Sequence, residues 1–281
     1  MKDYIKLMRP KHYIKNFLIF LPIIFSGKLF DISLLKIAFL GFLSFDMAAS
    51  TIYIINDIKD KEKDKKHSVK KNRPIASGRV SVKNAIILSI ITFILALLFQ
   101  LLTKNPDGFA FILFYIIMNI AYSLKLKEIP LVDITIIVLG FLTRVLYGSY
   151  LINISVSNWL LLTVISVSYY LALGKRRNET KKNGAKTRKV LEYYSVDFLD
   201  KNMYLCLTLT IAFYSLWCNA SPNKYLIWTV PLAIITCMKY SMIVENDNYG
   251  DPVEVILNNY SLLVLLFIFS IILFGTIYIG G

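Results

Sequence analysis

Asn56, Asp57, Asp60 and Asp64 follow one another at steps of one, three and four residues, directly after a long apolar run. A helix carries residues three and four apart on one face, so this spacing predicts a row of hard oxygen donors where a membrane segment meets water. Carboxylates gathered this closely repel one another unless a cation stands between them. Mg2+ selects carboxylate and amide oxygens, keeps several waters and takes its remaining ligands from substrate phosphates. The four residues are therefore expected to hold Mg2+ and, through it, a diphosphate. The interleaved Lys59, Lys61 and Lys63 give the bland alternative, a solvated juxtamembrane loop whose charges cancel.

Other polar residues extend this chemistry. Asp46, Ser50, Tyr53 and Asp57 share one helical face and make a polar stripe running inward from the acidic cluster. Arg144 lies eleven residues past Asp133, about 16 Å along a helix. An ionisable group inside a span costs about 2.5–3.5 kcal/mol on insertion scales and needs a partner or a cavity. Either Arg144 reaches a substrate phosphate in a deep cavity, the favoured reading, or it pairs with a buried acid such as Asp46; Asp46 itself is expected to be held by a structural hydrogen bond or ion pair. Tyr122, Lys125 and Lys127 follow Asn119 at the end of another apolar run and offer a cationic track. Arg73 and Arg79 return the chain toward the membrane and suit bidentate phosphate contacts. The segment Gly174-Lys175-Arg176-Arg177-Asn178-Glu179, with Arg188, is strongly basic. Lys175, Arg176 and Arg188 are expected to contact phosphates, since no equal number of acidic partners is evident. Two histidines and three unclustered cysteines in 281 residues argue against zinc and against a Ser-His-Asp nucleophile.

These residues must be positioned by membrane helices. The chain is 56% hydrophobic, and apolar runs long enough to span a bilayer recur from end to end. Nine spans are predicted, near 16–33, 34–55, 84–103, 108–124, 131–152, 157–173, 203–220, 225–243 and 259–279. With the N-terminus cytoplasmic and the C-terminus outside, 27 of the 32 lysines and arginines fall on or next to the inner side, as the positive-inside rule requires. The net charge of +14 then belongs to a face that meets anionic headgroups or a polyanionic substrate, and nothing calls for nucleic acid. Two long inner loops, 57–83 and 174–202, carry the acidic and basic clusters and are expected to cap a cytoplasm-facing cavity. The expectation is an all-α integral membrane bundle, a single domain over residues 1–281.

The acidic pattern after the second span, with Arg9-Pro10 and Lys15-Asn16 before the first, Arg73-Pro74-Ile75 after the acids and Tyr122-Ser123-Leu124-Lys125-Leu126-Lys127 after the fourth, resembles the UbiA superfamily of intramembrane prenyltransferases. The resemblance implies nine helices around a lipid-accessible cavity, with Mg2+ bridging a diphosphate to aspartates. Typical members carry a second Asp-x-x-x-Asp pattern where this chain has Gly174 to Glu179. With Gly140-Phe141-x-x-Arg144 and Gly250-Asp251-Pro252-Val253-Glu254-Val255, that departure is similar to the decaprenyl-phosphate phosphoribosyltransferase branch. The resemblance implies a plasma-membrane, Mg2+-dependent pentosyltransferase that moves phosphoribose from 5-phosphoribosyl diphosphate to a polyprenyl phosphate for envelope polysaccharides. It implies Asp57, Asp60, Tyr122, Lys127 and Arg144 as catalytic, and Lys15, Asn16, Arg73, Lys175, Arg176, Glu179 and Arg188 as substrate-binding. One metal site and one purely cationic site suit a donor with a diphosphate and a separate 5-phosphate. The alternatives are a prenyltransferase acting on a small acceptor and, from another class, a polytopic transporter.

Overall fold

The computed structural model describes residues 2–67, 69–183, 188–246 and 251–279, and among them every regular element is helical. Two compact units divide the chain, Met1–Leu124 with Thr143–Ser155, and Lys125–Leu142 with Val156–Gly281.

The first unit opens with α1 (Lys2–Met8), a 3₁₀ segment (Pro10–Phe20) and the short α2 (Leu21–Phe25). Then come α3 (Ile32–Lys59), α4 (Lys61–Lys65), α5 (Val82–Leu102) and α6 (Asp107–Leu124). The Asp31 carboxylate starts α3 by accepting from the Ser33 and Leu34 amides at 3.0 and 3.2 Å, and the Ser81 hydroxyl starts α5 by accepting from the Asn84 amide. Both satisfy amides that have no partner within the helix. α3 packs along α5, with Ser44 and Thr51 on its buried face. There the Ser44 hydroxyl donates to the Ala96 carbonyl at 2.8 Å, and the Thr51 and Thr92 hydroxyls lie 2.9 Å apart. The last part of α7 (Val132–Ile152) also belongs to this unit. A Cβ on its Gly148 would fall 2.0 Å from the Ile19 carbonyl oxygen, so glycine is what admits the N-terminal segment at this point.

The second unit holds the first part of α7, then α8 (Asn158–Asn183), α9 (Val196–Ala220), α10 (Val230–Asn246), α11 (Pro252–Asn258) and α12 (Tyr260–Tyr278). The Ser195 hydroxyl and the Asn259 carbonyl oxygen cap α9 and α12. Its core packs α8 along α9 and closes with Tyr170, Leu173, Leu199, Met203, Tyr240 and Val244.

Among the described residues, seven helices are long and apolar enough to cross a membrane: Ile32–Lys59, Val82–Leu102, Asp107–Leu124, Val132–Ile152, Val196–Ala220, Lys224–Asn246 (whose first turns are 3₁₀) and Tyr260–Tyr278. The membrane bundle expected from the sequence is thus present, but two of the nine expected spans take another form. The segment 16–33 is broken into 3₁₀ and α pieces by Pro22, which cannot donate to the helix ladder, and by a turn at Gly27 with φ 72°. The run 157–173 is the apolar portion of α8, which continues as helix through the charged residues to Asn183. The basic cap therefore does not begin as a loop at residue 174. Lys, Arg and Glu carry the helix onward because charged long-chain residues are good helix formers.

Candidate functional site

Each residue of the polar stripe on α3 meets a residue of the N-terminal segment. Asp57 accepts from Arg9 Nη2 at 2.5 Å. The Tyr53 ring lies beneath the Arg9 guanidinium at 5.2 Å and 5.5 Å from the His12 ring. Ser50 and Tyr13 hydroxyls are 2.7 Å apart, and Asn16 Nδ2 donates to Asp46 Oδ1 at 2.5 Å. A 3₁₀ helix brings residues three apart into register, so Tyr13, Asn16 and Ile19 descend one face of Pro10–Phe20 and read the α3 stripe turn by turn. The stripe is the seam on which the N-terminus is laid.

The acidic cluster lies at the open end of that seam. Asn56 and Asp57 close α3, Asp60 caps it, and Asp64 sits in α4. Arg73 Nη1 bridges Asp57 Oδ1 at 3.0 Å and Asp64 Oδ2 at 2.7 Å. The fold thus brings Asp57 and Asp64 together through an arginine. The Asn56 side-chain oxygen accepts from the Ser123 hydroxyl, and Lys59 Nζ donates to the Ser123 carbonyl at 2.6 Å, which ties the end of α3 to the end of α6. Among the described residues the half-buried Asp60 carboxylate has no hydrogen-bond or ion-pair partner. Also among these residues, no three acidic, histidine or cysteine side chains converge enough to hold a metal by themselves. The expected ligand cage of Asn56, Asp57, Asp60 and Asp64 is therefore not preformed. A Mg2+ that keeps waters and shares oxygens with a diphosphate needs only one or two carboxylates, and the unengaged Asp60 beside Asp57 and Asp64 fits that smaller demand.

Arg144 departs from expectation. Its Nε donates to Asn16 Oδ1 at 2.6 Å and its Nη2 to the Tyr115 hydroxyl at 3.3 Å, while its guanidinium stacks 4.8 Å from the Phe45 ring and 5.0 Å from that of Tyr115. Asn16, bonded to Asp46 on its other side, links the arginine to the buried acid. All three side chains are buried, and the network sets the Arg144 charge against Asp46 through Asn16. The sequence offers Asp46 as the alternative partner of Arg144, but not the Asn16 amide that joins them from 128 residues away.

The basic cluster also differs from its expectation, since acidic partners are present. Lys175 Nζ meets Asp251 Oδ2 at 2.9 Å, and Arg176 meets Asp133 at 2.6 Å and Glu179 at 2.7 Å. Arg177 pairs with Asp200, and Arg188 stands 3.8 Å from Glu179. Arg176 and Asp133 are fully buried, and Tyr194 donates its hydroxyl to the other Asp133 oxygen at 2.6 Å while accepting the Leu131 amide at 2.5 Å. That amide bond holds Leu131 at φ 65°, a conformation uncommon outside glycine. Burial alone would raise the pKa of Glu179, but the neighbouring Arg176, Arg188 and Lys175 charges outweigh it and hold the carboxyl below its ordinary value. Asp133, Asp200 and Asp251 are remote in sequence from residue 175, which is why the match in charge was not visible there. Gly250 lies outside the described residues.

Lys15 is half-buried on the N-terminal segment, Tyr122 half-buried in the last turn of α6, and Lys127 half-buried in the 3₁₀ turn Leu126–Glu128. The sequence singled out none of Lys6, Lys11 and His12, yet the structure places them with Arg9, Asp57 and Arg73 around a cavity of about 420 Å³. The signal was the reverse turn forced by Arg9-Pro10, where Arg9 adopts φ 55° and ψ 56°.

Long apolar helices with ionisable clusters at their ends and a buried arginine between them define a polytopic membrane protein. The chain belongs to the UbiA prenyltransferase family, whose profile matches residues 18–262. It is 31% identical to the decaprenyl-phosphate phosphoribosyltransferase of Corynebacterium glutamicum over 93% of this chain and 82% of that one. The protein of the same name from Mycolicibacterium smegmatis is also 31% identical, over 93% and 88%. In fold, the chain is similar to a UbiA homologue from Archaeoglobus fulgidus bound to DMAPP and Mg2+, with a TM-score of 0.72, 21% identity and 99% of each chain covered.

Proposed function

We propose that this protein is a membrane phosphoribosyltransferase that moves 5-phosphoribose from 5-phosphoribosyl diphosphate to a polyprenyl phosphate and releases pyrophosphate, on the cytoplasmic side, for envelope polysaccharide synthesis. The observation that carries the reading is similarity of about 31% to decaprenyl-phosphate phosphoribosyltransferases over 93% of the chain. The charge distribution supports it: the end of α8 carries arginines and lysines where a second acidic metal motif would serve a prenyl diphosphate.

Asp57, Asp60 and Asp64 would hold Mg2+ against the donor's diphosphate, where the ion supplies neutralisation of charge on the departing pyrophosphate. Arg9 and Arg73, paired with Asp57 and Asp64, would steady these carboxylates beside the diphosphate. An oxygen of the acceptor phosphate forms a bond to the anomeric carbon while the bond from that carbon to the pyrophosphate oxygen breaks. The nucleophile is already anionic, so the chain needs no general base, in keeping with its two histidines. Positive charge develops on the ribose ring. Carboxylates facing that carbon would stabilise it, and fixed cations on either side would hold the two phosphates in line. Lys15, Tyr122 and Lys127 are the remaining polar side chains that this reading assigns to substrate.

The test is transfer of label. Purified protein with Mg2+, ribose-labelled 5-phosphoribosyl diphosphate and a polyprenyl phosphate is expected to move label into an organic-extractable lipid in step with pyrophosphate release. A water-soluble label only, with a labelled prenyl diphosphate instead consumed by a small acceptor, would favour the prenyltransferase reading.

A further inference from the structure

We propose that the cavity under the N-terminal turn, lined by Lys6, Arg9, Lys11, His12, Asp57 and Arg73, is a metal-independent binding site for a phosphate monoester. The sequence led us to expect a purely cationic site in the basic segment after residue 174, but there Lys175, Arg176, Arg177 and Arg188 are matched by Asp251, Asp133, Asp200 and Glu179. Cations also line the cavity at the N-terminus. Among the described residues neither the Lys6 nor the Lys11 ammonium has a hydrogen-bond or ion-pair partner, whereas Arg9 and Arg73 are engaged by Asp57 and Asp64. With His12 counted as neutral, the four lining cations, the lining Asp57 and the Asp64 that pairs with Arg73 sum to two positive charges. A phosphate monoester carries about −1.5 to −2 at pH 7, which is the complement of that excess.

Size and rigidity agree. A volume of about 420 Å³ admits a sugar phosphate or a lipid headgroup, and lies within the ~300–1,000 Å³ usual for small-molecule sites. Pro10 fixes the backbone beyond Arg9, and the Asp57 ion pair together with the Tyr53 ring holds the guanidinium. The one carboxylate lining the cavity, Asp57, is already held by two arginines, so the chemistry is anion recognition by fixed donors.

Two phosphate monoesters enter the reaction proposed above, the 5-phosphate of the donor and the phosphate of the polyprenyl acceptor. The assignment to one of them rests on that reading, while the binding site itself does not. Binding is therefore measured first, without turnover. Full-length protein in detergent with EDTA is titrated calorimetrically with ribose 5-phosphate and, separately, with farnesyl phosphate. At least one is expected to bind, and Lys6→Gln and Lys11→Gln, both at exposed unpaired residues, are each expected to weaken it roughly ten- to a hundredfold. No binding of either probe in EDTA, or binding that both variants leave unchanged, would overturn the site. Binding with no transfer of label would instead retain the site and reject the proposed reaction. In turnover, a raised KM for 5-phosphoribosyl diphosphate alone assigns the cavity to the donor, and a raised KM for the lipid alone assigns it to the acceptor.

Discussion

Arg176 donates through Nε to Asp133 Oδ2 at 2.6 Å, and neither side chain is exposed. The pair ties the C-terminal third of α8 to the first turn of α7, and Tyr194 completes the hydrogen bonding of the acid. Removing one partner of such a pair strands a buried charge and costs about 3–5 kcal/mol. Arg176→Met is expected to lower the unfolding temperature sharply in detergent, and Asp133→Leu in the same chain to recover most of the loss. A stable single variant with a raised KM would return Arg176 to the substrate site.

The Asp46, Asn16 and Arg144 network makes a similar prediction in the first unit. Arg144→Met is expected to destabilise by roughly 3–5 kcal/mol, with partial recovery when Asp46→Asn removes the acid's charge. Non-additive melting temperatures in the double-mutant cycle would measure the coupling. Independent, additive effects would mean that Asn16 does not connect the two charges.

Asp60 behaves differently because nothing among the described residues is bonded to its carboxylate. Asp60→Ala is expected to leave thermal stability within about 0.5 kcal/mol of the parent and to reduce turnover roughly 100-fold or more. Asp57→Ala is expected to lower both, since it releases Arg9 and one contact of Arg73. Stripping divalent ions should abolish turnover in the parent, and re-added Mg2+ should restore it. Unimpaired turnover in Asp60→Ala would remove this residue from the diphosphate site.

The acid side of the stability profile should report on Glu179. Its carboxyl is held below the ordinary 4.5 by the cations around it, which overcome its burial. A carboxyl whose pKa falls on folding contributes stability above its unfolded pKa and loses it as pH drops through the folded one. Between pH 5 and pH 3 the parent is therefore expected to lose more stability than Glu179→Gln, in thermal melts at matched ionic strength. Parallel profiles would contradict the ion pairing.

The membrane helices, the acidic cluster and the polar stripe of α3 were legible because each is written in local spacing. Asp46, Ser50, Tyr53 and Asp57 fall on one face whatever they touch. What they touch was not legible: the partner strip Arg9, His12, Tyr13 and Asn16 follows a 3₁₀ repeat, and its register with α3 is a tertiary fact. The same holds for Arg176 and Lys175, whose acids lie 43 and 76 residues away. A local count of charge shows an unpaired basic segment there, and pairing at a distance removes it. Lys6 and Lys11 went unnoticed for the opposite reason, since isolated lysines near a membrane edge look like ordinary anchors until the Arg9-Pro10 turn folds them over Asp57.

The central claim is that a pentose phosphate is transferred to a polyprenyl phosphate, and the mass of the lipid product tests it most directly. Purified protein in liposomes is given Mg2+, 5-phosphoribosyl diphosphate and a defined polyprenyl phosphate, and the extracted lipids are analysed by mass spectrometry. A product heavier than the acceptor by one phosphoribosyl group, absent with Asp60→Ala, is the predicted result. An unmodified acceptor in the presence of folded, probe-binding protein, or a prenylated small molecule formed from a prenyl diphosphate in its place, would contradict the account.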